Sequence, residues 1–526
     1  MNKAYCNSCQ SLVPARPEAR EGRVFLVKDC PSCGKTETVI SGDPRRYLEK
    51  RAMDSGFRYT GCALNCLECH HRSHPTFIFI DVTNRCNLNC PICINNTPSM
   101  GFVFDPPIEY FDKIFRYFAK DEPLPAVQLF GGEPTMREDL LQLIELAKSY
   151  GFPTRVVTNG LKLADEAYCR RLVETGATIL IAYDGNEAET YRVLRASEKS
   201  LDLKQKALDN IRRTGGGKAA LMVCLAKGLN DREVPELLKF CHERRDFIRG
   251  VYFMPLAQTW DLSDFPFEPP RTTTEDIEAA LAACFPAVGA EFVPAGVFGE
   301  LPTIMRYLNM KPPPFRGAHP NCESMYLLVS DGQTYLPLDY YLKTSLPELV
   351  KALFPVEARL ARRAEALERG LLGRLLQGLG LGKGYLSLRA LISVAGTVRR
   401  HAWLGRVFKG RGLAKLGHAA VTAAGLMLRR KTRTVLQRHT TLHEVLQVII
   451  LPFEDKYVLE TDRLERCPNA FAYYDPARDE VRTVPVCAWG RHKPAIMRRI
   501  ADHYAVAPAA VGGPAAKERT RAAANG

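Results

Sequence analysis

The cysteines of this chain are concentrated near its start, at spacings suited to metal binding. Ten of the 17 cysteines precede residue 94. They form two Cys-x-x-Cys pairs and two Cys-x3-Cys-x2-Cys loops, namely Cys6, Cys9, Cys30 and Cys33, then Cys62, Cys66 and Cys69, then Cys86, Cys90 and Cys93. The first residues contain no apolar signal core, so we expect a cytoplasmic protein whose thiols stay reduced. The pattern therefore predicts metal or redox chemistry rather than a disulfide framework.

The two Cys-x-x-Cys pairs indicate one mononuclear metal site. Four thiolates, Cys6 with Cys9 and Cys30 with Cys33, can close a tetrahedron around a single ion. A unit as small as residues 1–50 needs that ion to fold, so we expect its role to be structural. Zinc and a rubredoxin-like single iron both suit four thiolates, and the spacing leaves the choice between them open.

The loop from Cys86 to Cys93 predicts a different kind of metal site. Three thiolates this close together can bind three irons of a [4Fe–4S] cube and leave the fourth iron open to a bidentate small molecule. Taken alone, however, the loop could also be half of a zinc site. Its interpretation therefore depends on the motifs around it.

The elements that position this loop are repeated βα units. Between residues 76 and 345, short apolar runs alternate with amphipathic helical stretches, which predicts a parallel sheet in an open or closed α/β barrel. Three motifs end strands of this sheet, at the face where such barrels build their sites. They are Gly131-Gly132-Glu133-Pro134, Thr158-Asn159 and Asp184.

Together with the cysteine loop, these motifs make the chain similar to the radical S-adenosylmethionine (SAM) superfamily. The family signature, Cys-x3-Cys-x-(aromatic or apolar)-Cys after the first barrel strand, is matched at Cys86, Cys90 and Cys93. The resemblance implies a (β/α)6 partial barrel, an electron donor such as ferredoxin or flavodoxin, and a 5′-deoxyadenosyl radical that removes hydrogen from an unactivated carbon. SAM-binding roles carry over to Gly131, Gly132, Glu133, Pro134, Thr158, Asn159, Asp184 and Arg195.

The layout as a whole resembles one branch of that superfamily, the tetraether lipid synthase-like proteins. This branch also includes members described as pterin methyltransferases. The segment Val82–Cys93, the GGEPT motif, KGLND at 227–231 and the two C-terminal cysteines carry the resemblance.

The loop from Cys62 to Cys69 predicts an auxiliary [4Fe–4S] cluster. Such a cluster needs a fourth ligand from elsewhere in the chain, and the candidates are Cys322, Cys467 and Cys487. Branch members bear a second auxiliary cluster with a cysteine after the sixth βα unit, but residues 291–297 contain none here. We therefore expect at least one auxiliary cluster and leave a second one open.

The basic character of the chain comes from one segment. The formal net charge is +14, and residues 356–439 alone hold 18 Lys+Arg against 3 Asp+Glu, a local net of +15. Three apolar stripes at helical spacing run through this segment: Leu360, Ala364, Leu367, Leu371 and Leu375; Leu388, Leu391, Ala395, Val398 and Ala402; Leu413, Leu416, Ala420, Ala423 and Met427. They predict helices that lie on an anionic membrane surface. The alternative is a helical hairpin packed on the barrel with a solvated basic face.

These observations divide the chain into six segments. They are a metal-knuckle domain (1–50), an auxiliary cluster loop (51–75), a barrel core (76–345), a basic helical segment (346–445), a small cysteine-containing C-terminal domain (446–504) and a disordered tail (505–526).

The leading functional hypothesis is an enzyme that makes radicals on lipid alkyl chains and joins two chains by a carbon–carbon bond. The alternative is radical methylation of a pterin or another small heterocycle. A metal-knuckle protein that binds nucleic acid is disfavoured, because it gives the GGEP motif no role and the basic segment has few aromatics for stacking. We therefore expect a lipid substrate, contact with the inner face of the membrane through residues 356–439, and no nucleic acid partner.

Overall fold

A computed structural model of the 526-residue chain provides the structure. It describes residues 2–54, 61–69, 75–95, 100–310, 315–369, 382–427, 430 and 432–504. The predicted disordered tail, 505–526, lies outside the described residues, and so do Leu371 and Leu375 of the first apolar stripe.

The N-terminal unit is a four-stranded antiparallel sheet followed by a short helix. Its strands, in the spatial order of the sequence, are β1 (Lys3–Tyr5), β2 (Leu12–Arg20), β3 (Arg23–Cys30) and β4 (Gly34–Ser41). Helix α1 (Pro44–Arg51) begins at Asp43, whose carboxylate accepts a hydrogen bond from the Arg46 amide. This N-cap satisfies one of the free amides at the start of the helix.

The second sheet contains the remaining strands. They are β5 (Phe77–Thr83), β6 (Ala126–Gly131), β7 (Thr154–Thr158), β8 (Thr178–Ala182), β9 (Ala219–Leu225), β10 (Ile248–Pro255), β11 (Val293–Pro294), β12 (Ser324–Ser330), β13 (Tyr335–Pro337), β14 (Val445–Ile450), β15 (Asn469–Asp475) and β16 (Glu480–Pro485). Strands β5 to β10 lie side by side in chain order and pair in parallel. The predicted α/β fold with six βα units is confirmed.

C-terminal strands extend this sheet at both edges. Strand β14 pairs in parallel with β10, and β15 pairs in parallel with β5. Beyond them, β12 pairs antiparallel with β14, and β16 pairs antiparallel with β15. Residues 446–504 are therefore built into the main sheet, and they place Cys467 and Cys487 beside the first barrel strand.

Helices cover the sheet between its parallel strands. They are α2 (Ile108–Phe118), α3 (Leu140–Ser149), α4 (Glu166–Glu174), α5 (Ala188–Arg195), α6 (Ser200–Thr214), α7 (Val234–Glu243), α8 (Thr274–Ala283) and α9 (Pro302–Tyr307). Apolar side chains such as Phe111, Leu143 and Leu172 are fully buried between helices and sheet. The core therefore lies along the length of the barrel wall.

The basic segment is helical. Its helices are α10 (Leu346–Arg369), α11 (Gly382–His401), α12 (Leu404–Val407), α13 (Leu413–Met427) and α14 (Thr432–His439). Two further helices follow in the C-terminal part: α15 (Thr461–Glu465) and α16 (Val486–His503). Among the described residues, no helix is both long and apolar enough to cross a membrane.

The first apolar stripe faces the protein, so the prediction that it lies on a membrane is wrong. Leu360 is 1% exposed and Ala364 is 9% exposed, in a cluster with Ile304 of α9 and Leu386 of α11. This part of the segment follows the alternative, a helix packed on the body of the protein. In the third stripe, by contrast, Leu413 is 84% exposed.

Helix α1 fastens the N-terminal unit to the barrel through buried charges. The Lys50 ammonium group is inaccessible to solvent; it forms an ion pair with Glu275 and lies 3.4 Å from Glu278, both on α8. The Arg46 guanidinium group also pairs with Glu278, at 2.7 Å. Burial raises the pKa of Glu278, but the charges of Lys50 and Arg46 outweigh this effect and hold that pKa below its usual value.

We predict that Lys50→Met lowers the stability of the fold by about 3–5 kcal/mol, because it leaves a buried carboxylate without its partner. Thermal unfolding followed by tryptophan fluorescence should show a drop in apparent Tm of several degrees. The control is Lys239→Met, which removes an exposed lysine on α7 and should leave the Tm nearly unchanged. Equal Tm values for the two variants would contradict this account.

Candidate active site

The first cysteine loop begins directly after β5. The Asn84 side chain fixes its base, because the amide group donates to the Phe102 carbonyl oxygen at 2.7 Å and accepts from the Phe104 amide at 2.8 Å. Within the loop, the Leu88 amide donates to the Cys86 sulfur and the Cys93 amide donates to the Cys90 carbonyl oxygen. These hydrogen bonds fix the path of the loop where it follows the carboxyl end of the buried strand β5.

The thiols of this loop are electrostatic neighbours. Cys86 is an exposed residue overall, but its thiol has a pKa raised to about 12, chiefly by desolvation and also by the charges of Glu133, Cys90 and Cys93, against a lowering hydrogen bond from the Leu88 amide. Burial also raises the pKa of Cys90, while the charge of Arg195 lowers it. Three thiols gathered beside a fixed cation form a donor set that fits three irons of a cationic cluster. The residues present therefore fit the group that the sequence predicts.

The glycine-rich motif packs against the chain that leads into the cysteine loop. Gly132 donates its amide hydrogen to the Thr83 carbonyl oxygen at 2.8 Å, and Glu133 donates to the Arg85 carbonyl oxygen at 2.8 Å. A Cβ on Gly131 would lie 2.3 Å from the Thr83 oxygen, and a Cβ on Gly132 would lie 2.3 Å from the Arg85 oxygen. Both glycines are required because two backbones meet here without room for a side chain.

Glu133 links the ends of β6 and β7. Its carboxylate is buried and accepts hydrogen bonds from the Thr158 hydroxyl at 2.6 Å and from the Asn159 amide at 2.7 Å. It also accepts from the amide and hydroxyl of Thr135. Four protein donors occupy this carboxylate, so its contribution here is to hold the motif in place. Pro134 begins the short turn that follows.

Asp184 and Arg195 form a buried ion pair at the next strand end. The guanidinium donates to both carboxylate oxygens, at 2.7 and 2.8 Å, and the Cys224 amide donates to the same carboxylate at 2.9 Å. Burial raises the pKa of Asp184, but the charge and hydrogen bonds of Arg195 leave it below its usual value. Arg195 therefore stands between Asp184 and the Cys90 thiol as a permanent cation.

Lys204 is a member of this site that the sequence analysis missed. It is fully buried on α6, and its ammonium group donates to the carbonyl oxygens of Asn159 and Ala182, both at 2.6 Å. Burial, followed by the charge of Arg195, lowers its pKa to about 8. A pattern in the sequence could have revealed Lys204. It lies three residues after Leu201 and four before Leu208, a spacing that places it on the apolar face of the helix.

A cavity of about 470 Å³ opens beside Cys93. The N-terminal sheet, the barrel mouth and the C-terminal segment all contribute to it, through residues such as Tyr5, Asn95 and Asp455. Four aromatic rings line one side in contact with one another: Phe79, Phe130, Phe471 and Trp489. The cavity is of the size that proteins use for small-molecule sites and also reaches Cys487.

The remaining cysteines that the sequence predicts as metal ligands influence one another's pKa within two sets. The pKa of Cys66 is raised to about 12 by burial and then by Cys69 and Cys62, the thiols of its own loop. The C-terminal cysteines influence one another instead: after burial, Cys322 raises the pKa of Cys467, and Cys467 is among the groups that raise the pKa of Cys487. The structure thus groups the proposed fourth ligands with each other.

Residues of the C-terminal segment hold the auxiliary loop in place. The amides of Gly61 and Cys62 donate to one oxygen of Glu465, at 3.1 and 3.0 Å. The Arg482 guanidinium donates to the Leu67 carbonyl oxygen at 3.1 Å. The loop therefore sits on the extended edge of the main sheet.

The N-terminal cysteines come together as the spacing predicts. The sulfur atoms of Cys6, Cys9, Cys30 and Cys33 all lie within 4.8 Å of one another. Hydrogen bonds lower the pKa of Cys9 to about 6, and the one from Ser11 has the largest effect. A lowered pKa favours the thiolate form that a metal requires. This geometry suits a tetrahedral four-thiolate site.

Comparison with known families agrees with this arrangement. Residues 80–241 match the radical SAM superfamily, and residues 2–42 match the zinc ribbon domain found at the N-terminus of HMPTM proteins. The chain is 30% identical over 354 residues to a 7,8-dihydro-6-hydroxymethylpterin dimethyltransferase of Methanocaldococcus jannaschii, covering 64% of this chain and 70% of that protein.

Shorter matches extend to other enzymes. The chain is 30% identical over 185 residues to a GTP 3′,8-cyclase of Helicobacter pylori, covering 34% of this chain and 56% of that protein. Among solved structures, a radical SAM methyltransferase from Sphaerobacter thermophilus shares 16% identity and covers 52% of this chain and 75% of its own, with a TM-score of 0.32. The structure of SuiB from Streptococcus suis bound to SAM shares 16% identity, and the match covers 50% of this chain and 66% of SuiB, with a TM-score of 0.30.

We predict that Gly132→Ala weakens iron binding at the first cysteine loop, because the new Cβ must push the motif away from the Arg85 carbonyl group. Iron content and the electron paramagnetic resonance (EPR) signal after anaerobic reconstitution should both fall. The control, Gly396→Ala, adds a Cβ in open space on α11 and should reconstitute like the unaltered protein. An unchanged cluster signal in Gly132→Ala would show that this close approach is not needed.

Proposed function

Because this chain belongs to the radical SAM superfamily, we propose that it abstracts hydrogen from an unactivated carbon of a lipid alkyl chain and couples two chains through a carbon–carbon bond. The observation that carries this proposal is the aromatic cavity beside Cys93. A saturated carbon offers no polar group to a binding site. An enzyme that reacts there must hold it by shape and apolar contact, which Phe79, Phe130 and Phe471 supply.

The first cysteine loop is the place for the cluster that this chemistry needs. Cys86, Cys90 and Cys93 would bind three irons, and SAM would bind the fourth. Together, a reduced [4Fe–4S] cluster and SAM supply a 5′-deoxyadenosyl radical, with ferredoxin or flavodoxin as a suitable electron donor. Arg195, beside Cys90, favours the thiolate form of that ligand.

The strand ends next to this loop provide the candidate site for SAM. The Gly131–Glu133 backbone, Thr158, Asn159 and the Asp184–Arg195 pair all lie at one edge of the sheet, where β6, β7 and β8 end. Lys204 adds a second buried cation within the same network. Fixed charges of both signs suit a ligand that carries both an ammonium and a carboxylate group.

Two further metal assignments belong to this proposal. The zinc ribbon match favours zinc at Cys6, Cys9, Cys30 and Cys33, with iron as the alternative. The loop at Cys62, Cys66 and Cys69 would hold an auxiliary [4Fe–4S] cluster. The thiols of Cys322, Cys467 and Cys487 influence one another's pKa, and Cys487 lines the cavity. These three are therefore candidates for the fourth ligand of that cluster or for a further site.

Methylation of a pterin or a similar heterocycle is the second candidate, and it has its own support. The M. jannaschii relative carries the name of a pterin dimethyltransferase. In the cavity, Phe471 and Trp489 are stacked on each other with ring centroids 4.9 Å apart, and a planar ring could stack on the side of this pair that faces the cavity. Asn95 and Gln258 could then form hydrogen bonds with the polar edge of that ring. The two candidates differ in the mass of the product.

We predict that the anaerobically reconstituted protein cleaves SAM to 5′-deoxyadenosine and methionine. Replacing Cys86, Cys90 and Cys93 together by Ala should abolish this cleavage, because no ligands remain for the SAM-binding cluster. The matched control is the triple replacement of Cys169, Cys241 and Cys284 by Ala, which alters cysteines outside the proposed metal sites. Undiminished turnover in the first variant would remove the radical SAM assignment of this loop.

We predict that cells with this gene contain membrane lipids that are absent from a deletion strain. Coupling removes one hydrogen atom from each chain, and each is taken by its own 5′-deoxyadenosyl radical, so two SAM molecules are consumed for each new bond. The product should therefore be lighter by two hydrogens than the lipid or lipids from which its chains come. High-resolution mass spectrometry of extracted lipids provides the test. If the lipids are identical and a heterocycle instead gains methyl groups, the second candidate replaces the first.

A further inference from the structure

Two helices of the basic segment expose apolar side chains that the rest of the protein leaves uncovered. On α11, Tyr385, Leu388 and Ile392 are exposed, and their spacing places them along one face. On α13, Leu413 and Leu416 are 84% and 66% exposed. Large apolar side chains concentrated in this way mark an interaction surface. We call the exposed faces of α11 (Gly382–His401) and α13 (Leu413–Met427) the basic helical surface.

Other parts of the segment are occupied by internal contacts. The Glu357 carboxylate of α10 accepts hydrogen bonds from the amides of Thr303 and Ile304, both at 2.8 Å, and so caps α9. The Lys343 amide donates to the His401 carbonyl oxygen at 2.7 Å. Helix α10 and the end of α11 therefore fasten the segment to the protein, while the basic helical surface faces outward.

The charged residues of this part of the chain have one sign. Residues 370–439 contain 14 Lys+Arg and no Asp or Glu. Arg399 follows Ile392 by two helical turns on α11, and Arg411 lies just before α13; both residues are exposed. The acids of the preceding helix, Glu365 and Glu368, lie on α10, which packs against α11. The cations of residues 370–439 outnumber these two acids, so the segment keeps an excess of positive charge for an anionic partner.

We propose that the basic helical surface docks on an anionic lipid bilayer. Apolar side chains flanked by Lys and Arg on helices too short or too polar to span a membrane are typical of helices that lie in the headgroup plane. Trp403, which is 48% exposed between α11 and α12, adds an aromatic ring of the kind that favours the membrane interface. Docking uses both features at once, because the rings and aliphatic side chains enter the headgroup region while the cations meet lipid phosphates.

A nucleic acid is the competing partner for a basic surface, and the exposed side chains favour the bilayer. Cations alone can bind the phosphates of a duplex, and stacking aromatics add affinity for single strands, whereas exposed leucine and isoleucine add nothing to phosphate contacts. Insertion into a headgroup layer does require them. The proposal does not depend on which substrate the active site uses, so its test is separate from the tests of the reaction.

The experiment is flotation of the full-length protein with vesicles in a density gradient. One vesicle type is phosphatidylcholine alone, and the other contains equal amounts of phosphatidylcholine and phosphatidylglycerol. We expect the protein to float with the anionic vesicles at low salt, to float poorly with the neutral ones, and to be released by high salt.

Two variants separate the contributions to binding. Arg399→Gln with Arg411→Gln should weaken binding by about 30-fold, because each cation near an anionic surface contributes about a factor of five. Ile392→Ser, Leu413→Ser and Leu416→Ser together should weaken it by at least about tenfold. The controls are Lys120→Gln with Lys206→Gln, and Leu48→Ser with Met310→Ser, which change exposed residues elsewhere and should float normally.

The proposal is overturned if the intact protein stays at the bottom of the gradient with anionic vesicles, or if the serine variant floats as well as the intact protein. It is also overturned if a duplex RNA, added in equal charge amount, strips the protein from the vesicles and binds through Arg399 and Arg411. Circular dichroism and the thermal unfolding midpoint of each variant, compared with those of the intact protein, show whether the variant is folded.

Discussion

Three buried charges and one largely buried charge hold the carboxyl ends of the central strands in one arrangement. Glu133, Asp184, Arg195 and Lys204 lie at the same edge of the sheet, and burying any of them without partners would be costly. Each is satisfied by groups on a different strand end: Glu133 joins β6 to β7, and Lys204 joins β7 to β8. Asp184 connects β8 with β9 through the Cys224 amide. Because these contacts cross between neighbouring strand ends, they tie the ends of β6, β7, β8 and β9 together.

The cysteine loop inherits its position from this edge. Its entry residues, Thr83 and Arg85, accept backbone hydrogen bonds from the Gly132–Glu133 segment, which Glu133 in turn locks to β7. Arg195 reaches the thiol of Cys90 from the other side. A cluster bound there would therefore sit in a fixed relation to the strand ends. Pre-organisation of this kind matters for a reactive radical, whose selectivity depends on where the target carbon is held.

Much of this site could be predicted from the sequence, because its signals are local. Apolar runs followed by Gly131-Gly132, Thr158-Asn159 and Asp184 identify strand ends without knowledge of the fold. Lys204 was missed because a lysine on an apolar helix face looks like a tolerated exception until its two carbonyl partners are known. The four strands of the N-terminal unit are harder to predict, because β2 and β4 are rich in polar residues and show little apolar patterning.

Features that depend on distant pairing were harder to predict. The apolar run near residue 448 does not reveal by itself that β14 extends the barrel beside β10. An apolar stripe likewise does not reveal what covers it. Leu360 packs against α9, whereas Leu413 is left exposed, although both belong to similar patterns. The position of β14 and the burial of each apolar stripe depend on contacts between residues far apart in the sequence.

The central claim is that Cys86, Cys90 and Cys93 hold a cluster whose open iron binds SAM. Electron–nuclear double resonance of the reduced protein, with SAM carrying a magnetic nitrogen isotope in its amino group, tests this most directly. The account predicts a hyperfine coupling between the cluster spin and the labelled nitrogen, present with intact protein and absent when the three cysteines are replaced by Ala. A reduced cluster that shows no coupling to the label, at SAM concentrations that saturate binding, would contradict it.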